Sequence, residues 1–233
     1  KDEARLLDIE RYFGGHIYGA LDDYKQFSKK MIEPRLTRGR VLMGQNVGLL
    51  QKIDAAYGVT PGVVVAIWGL ETSYGGYTGN FSTLRALATL GYDCRRSARF
   101  QAELLDALRI IDKGDLTPAQ MKGAWAGELG QTQFMPSSWL KYAVDFDGDG
   151  KRDLIKSVPD VLASTANFLK GHGWKAGEAW GEGTHNYGVI REWNKAEVYV
   201  KTIAIMAMRL SEAGAEAPPP VRVKNRTERR AGD

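Results

Sequence analysis

Apolar residues recur at spacings of three and four along most of this chain, the mark of helices that turn one face inward. Thr60-Pro61 supplies an N-cap residue and a proline suited to a first helical turn, and the run Gly62 to Glu71 follows. Its three consecutive valines also fit a strand, and the cap signal tips the reading to helix. Ser82 opens a helix that Gly91 can end, and Ser97 opens another through ARFQAELLDALRIID. Thr117-Pro118 and Pro136 mark two short helices. Ser157, with Asp160 in the place of the usual Glu or Gln, resembles a capping box ahead of VLASTANFLK. Ala196 to Leu210 forms a last apolar helix, and neither an internal repeat nor a series of β-hairpins is visible. The pattern predicts a mainly α protein. A helical extension over 1–28 precedes one domain over 29–213, and a disordered basic tail over 214–233 follows.

Composition narrows the class. With 233 residues, 43% hydrophobic and 26% charged, the chain is long enough for a core of ordinary globular make-up. The longest strongly apolar stretch, VVVAIWGL, is too short to cross a bilayer. The opening KDEARLLD is not a signal peptide, which fits a cytosolic protein and a trimmed mature form equally. The single cysteine, Cys94, excludes an internal disulfide and a Cys-based zinc site. His16, His172 and His185 lack the spacing of metal ligands. The net charge of +4 is concentrated in the tail, where residues 222–233 carry five Lys/Arg against two acids, so no basic nucleic-acid-binding face is expected.

Glu71 closes the apolar run GVVVAIWGLE and precedes the glycine- and aromatic-rich TSYGGYTG. An apolar surround and the negative end of a helix dipole both disfavour its ionised form. A carboxylic acid that is still protonated near neutral pH is what a general acid needs. The same pattern also fits a helix-terminal glutamate that faces solvent.

ETSYG at 71–75, ALATLGYD at 86–93, GQTQFMPSSW at 130–139 and YAVDFDGDG at 142–150 strongly resemble lytic murein transglycosylases of the membrane-bound transglycosylase B type, from about Lys29 to Leu210. The resemblance implies a lysozyme-like (goose-type) fold. It also implies cleavage of the β-1,4 bond between N-acetylmuramic acid (MurNAc) and N-acetylglucosamine (GlcNAc) in peptidoglycan glycan strands. Glu71 holds the position of the family's sole catalytic carboxylate, protonating the glycosidic oxygen and then taking the proton of the C6 hydroxyl as a 1,6-anhydro ring closes. No cofactor enters that chemistry. Gln133, Asn194, Trp193 (for a family tyrosine), Phe168 (likewise), Arg95 and Arg96 match substrate-binding positions. The family's serine before the aromatic-Ala-Gly segment is replaced by Ala124. The family implies the periplasm of a Gram-negative bacterium, with anchoring to the membrane through a removed segment left open.

Asp145, Asp147, Asp149 and Gly150 read D-x-D-x-D-G, the opening half of an EF-hand calcium loop, to which Lys151 would add a backbone carbonyl. The usual closing Glu is absent, since Lys156 holds that place. The resemblance implies a longer loop closed by Asp160, with Asp153 as a further candidate. Calcium with a structural role is expected, because the donors are all oxygen. Two other functions stay open on sequence grounds. One is a muramidase that uses Glu128 or Asp93 as a second carboxylate. The other is a cell-wall-binding scaffold with weak turnover, suggested by Ala124.

Overall fold

The computed structural model describes residues 24–93 and 95–212, and these form nine α-helices and one two-stranded antiparallel ladder. Residues 1–23 of the expected extension and the whole of the expected tail, 214–233, fall outside the described residues. Helix α1 (Tyr24–Gln45) runs through the expected boundary at 28/29 without a break. The helices α2 (Val47–Tyr57), α3 (Pro61–Thr72), α4 (Thr83–Tyr92) and α5 (Ser97–Asp112) follow. Then come α6 (Pro136–Tyr142), α7 (Val158–Gly171), α8 (His185–Trp193) and α9 (Glu197–Glu212). Strand β1 (Phe81–Ser82) pairs with β2 (Lys122–Gly123), Phe81 lying opposite Gly123.

Helix α3 is the axis of the fold. Its residues from Gly62 to Leu70 are all buried, as expected for a helix that is apolar all round. It packs chiefly against α9, with α1, α7 and α2 around it. Gly62 makes the closest approach possible, since a Cβ there would meet Ala207 O at 2.7 Å and overlap Ser211 Oγ. Pro61 starts the helix as the sequence predicts, although Thr60 makes no side-chain cap bond. The three valines are helical because the surrounding helices bury them on every side.

Other elements depart from the reading in detail. Gly91 lies inside α4, which ends at Tyr92, and Ser82 caps its start by accepting the Arg85 N–H. The segment after Thr117-Pro118 is a turn rather than a helix, while Pro136 does open α6. The capping box is only half made. Ser157 Oγ accepts the Asp160 N–H, but the Ser157 N–H goes to Asp153 O and the Asp160 carboxylate points elsewhere. Among the described residues no single helix is long and apolar enough to cross a membrane.

Candidate active site

Glu71 stands near the C-terminal end of α3, half-buried where every other residue from Gly62 onward is buried. The chain leaves the helix through two left-handed residues, Ser73 and Tyr74, with φ of 52° and 63°. The Tyr74 ring makes this turn rigid by packing on Gly69 and Gly39, and its hydroxyl donates to Arg35 O at 2.8 Å. Arg35 Nε in turn donates to Gly69 O at 2.8 Å, satisfying a carbonyl of the last turn of α3. Thr72 Oγ1 donates to Gln131 O, and Trp68 Nε1 donates to Gln131 Oε1 at 2.8 Å. Glu71 therefore sits on a braced scaffold.

Two donors meet one oxygen of the carboxyl group. Trp193 Nε1 donates to Glu71 Oε1 at 2.9 Å, and the Tyr199 hydroxyl donates to the same atom at 3.0 Å. Oε1 is thereby held as an acceptor, so a proton carried by Glu71 resides on Oε2. Burial pushes the carboxyl up to about 7, against the two hydrogen bonds, which favour the anion, and with the help of the Glu128 charge. Burial and the Glu71 charge hold Tyr199 well above its usual value, so it remains a donor at neutral pH.

Glu71 lines an open cleft of about 480 Å³ together with Gln133, Phe168, Trp193 and Asn194, four of the residues read from the sequence. Gln133 has φ of 56°, and its amide donates to Gly130 O and Thr78 O, so a strained backbone presents it to the cleft. Asn194 follows α8 directly and accepts the Ala196 N–H with Oδ1. Phe168 is buried and meets the Trp193 ring edge-on at 4.9 Å, with Phe134 5.4 Å from the same indole. Phe168 also packs on Tyr142 and His172.

Arg95 and Arg96 do not line this cleft; they line a shallow recess at the start of α5 that shares Arg99 with it. Arg95 grips Asp93, which holds that carboxyl down at about 2. Arg99, a turn further along α5, is the arginine that lines the cleft. Asp93 does not line the cleft, whereas Glu128 does, half-buried, with Oε2 accepting the Ala126 N–H at 3.1 Å. Tyr199 was missed in the sequence, where it reads as one more residue of the last apolar helix. Its sole signal there is a polar tip at the start of that helix. Ala124 brings no side-chain donor, and Trp193 and Tyr199 supply the hydrogen bonds to Glu71.

The aspartate loop lies between α6 and α7. One carboxylate oxygen from each of Asp145, Asp147 and Asp149 lies within 4.8 Å of the others, and all three residues are exposed. Asp145 also accepts the N–H groups of Gly148, Asp149 and Gly150, which folds the loop around its own side chain. No Lys or Arg among the described residues forms an ion pair with these three acids, so a hard cation suits them. Lys151 continues the loop, its N–H donating to Asp149 Oδ1. Asp160 stands apart from the three, buried, with its oxygens accepting the Phe146 and Asp153 N–H groups. It clamps the two ends of the loop. Asp153 turns back on the N–H groups of Ile155 and Lys156.

This helical frame, with a half-buried acid opening on a cleft, is that of a lysozyme-like transglycosylase. Residues 20–184 match the Transglycosylase SLT domain family, and the chain belongs to it. It is 40% identical over 155 residues to membrane-bound lytic murein transglycosylase B of Escherichia coli (strain K12), a match over 66% of this chain and 43% of that protein. The chain thus spans less than half the length of this curated relative. The crystal structure of SltB3 from Pseudomonas aeruginosa in complex with NAG-anhNAM-pentapeptide superposes with a TM-score of 0.77 at 33% identity, covering 81% of this chain and 67% of that one. The Escherichia coli lytic transglycosylase Slt35 in complex with calcium superposes with a TM-score of 0.74 at 27% identity, covering 83% of this chain and 80% of that one.

Proposed function

We propose that this chain is a peptidoglycan lytic transglycosylase that cleaves the β-1,4 MurNAc–GlcNAc bond and leaves 1,6-anhydro-MurNAc ends. The observation that carries the reading is Glu71, whose proton is confined to Oε2 by two donors on Oε1 and whose carboxyl titrates at about 7 beside an open cleft. Oε2–H is given to the glycosidic oxygen as the bond to C1 breaks, and the substrate's own N-acetyl group offsets the positive charge at C1. The Glu71 carboxylate then takes the proton of the C6 hydroxyl while that oxygen bonds to C1, so no water is consumed. Gln133, Asn194 and Trp193 line the path of the sugar.

The naming of its relatives supports action on murein in the periplasm of a Gram-negative bacterium. Asp145, Asp147 and Asp149, with the Lys151 carbonyl, would hold a calcium ion, and Asp160 would brace the loop. The ion's contribution there is structural.

The deciding test is digestion of purified sacculi by the protein and by Glu71→Gln, with the soluble products identified by mass spectrometry. Muropeptides one water lighter than the reducing forms, lost in the variant, are expected. Reducing ends would overturn the reading in favour of a hydrolase working with Glu128. Binding to sacculi without release would leave a scaffold.

A further inference from the structure

A second recess, of about 300 Å³, opens beside the cleft but shares no lining residue with it. Its apolar surfaces come from Phe81, Trp125 and Leu90, and its rim carries Asn80 and Arg85. Phe81 is 52% exposed and Trp125 is half-buried, so both are open to a ligand. Among the described residues the side chains of Asn80 and Arg85 and the indole N–H of Trp125 have no hydrogen-bond partner. Flat rings beside unengaged donors suit a sugar. The C–H face of a pyranose covers an aromatic ring, its hydroxyl and acetamido groups meet the amide and the indole N–H, and a sugar-linked carboxylate meets the guanidinium.

One turn builds a wall of both spaces. After β2, Trp125 faces the second recess and Glu128 faces the cleft. The turn is closed by the Ala124 N–H on Glu128 O at 3.1 Å and the Gly127 N–H on Ala124 O at 3.2 Å. Any Cβ at Gly123 would overlap Glu128 O, so the turn is packed too tightly to slide. The recess and the cleft therefore share one wall, as two stations along one polymer require.

We propose that the recess between β1, α4 and Trp125 is a saccharide-binding subsite that takes a distant sugar of the same glycan strand cut at Glu71. The proposal rests on the transglycosylase reading. It makes the site a reader of strand length, because a short fragment that fills the cleft leaves the recess empty.

The test compares kcat/KM on long purified glycan strands with kcat/KM on a GlcNAc–MurNAc tetrasaccharide. The proteins are the unaltered chain, Phe81→Ala and Trp125→Ala, with a thermal melt of each. Losing one stacked ring is expected to lower the value on strands by about tenfold and leave the tetrasaccharide value unchanged. Equal loss on both substrates, or no loss on strands, would overturn the proposal. Phe81 is exposed, so its variant decides the matter if Trp125→Ala melts early. If the unaltered chain cleaves neither substrate, the activity reading itself fails and this subsite falls with it. That outcome is told apart by the control rather than by the variants.

Discussion

Glu71 is an acid with one oxygen spoken for. Replacing Trp193 by Phe keeps a ring against Phe168 and Phe134 and removes the N–H from Oε1. Because that hydrogen bond favours the anion, its loss raises the Glu71 pKa above about 7. The alkaline limb of the pH–rate profile is expected to move up by somewhat less than one unit, as befits a bond worth about 1 kcal/mol. A purely structural indole would leave that limb in place while lowering kcat. The charged and titratable groups that bear on the carboxyl are Tyr199, on α9, and Glu128, on the turn after β2, and neither is altered by the substitution.

The same carboxyl sets a cost in stability. In the unfolded chain it titrates near 4.5, in the folded protein at about 7. Below 4.5 both states hold the proton and nothing is lost. As pH rises to about 7 the unfolded chain releases it first, and the folded state loses about 3 kcal/mol. Glu71→Gln, whose amide oxygen can still accept from Trp193 and Tyr199, removes that penalty. Its melting temperature is expected to exceed that of the unaltered protein at pH 8 and to match it at pH 4. Equal melting temperatures at both pH values would show that the carboxyl does not carry the burial described.

At the level of elements, α3 and α9 share the tightest seam. A Gly62→Ala change places a methyl group against the Ala207 carbonyl, which is backbone and cannot swing aside. Overpacking of this kind costs about 1–3 kcal/mol, and a lower denaturation midpoint with an unchanged m value is the expected result. The helices themselves were legible, because their apolar spacing survives in three dimensions. Less legible was which face of a helix meets the cleft. Arg95 and Arg96 belong to the right helix start but line the neighbouring recess, whereas Arg99 lines the cleft as well, since the packing of α4 and α6 on α5 decides its rotation. Tyr199 hides for a similar reason: a helix pattern records burial and is silent on what the hydroxyl touches. Asp160 fits two sequence patterns at once, and only the fold shows that its backbone serves the cap while its side chain serves the loop.

At the scale of the whole molecule, the aspartate loop and the acid are joined through one side chain. Gln131 takes the Leu154 carbonyl with its N–H and the Ile155 carbonyl with its amide, just past the loop, and accepts Trp68 from α3. A cation that ordered Asp145, Asp147 and Asp149 would thus stiffen the support of Glu71. Calcium held there, in hundredfold excess over its dissociation constant, would add about 2.7 kcal/mol to stability. A rise in melting temperature on the order of 5–10 °C is therefore expected, reversed by chelator and absent in Asp145→Ala. An unchanged melt with and without calcium would remove the ion from the account.

Glu71 lies on α3, while both of its donors, Trp193 and Tyr199, follow it by 122 and 128 residues. As the polypeptide emerges in order, the acid exists long before anything tells its two oxygens apart. Until α8 and α9 dock, α3 also lacks the partner that covers it. The two oxygens of Glu71 are therefore told apart only when α8 and α9 dock, and a copy clipped before Trp193 carries the acid without its aim.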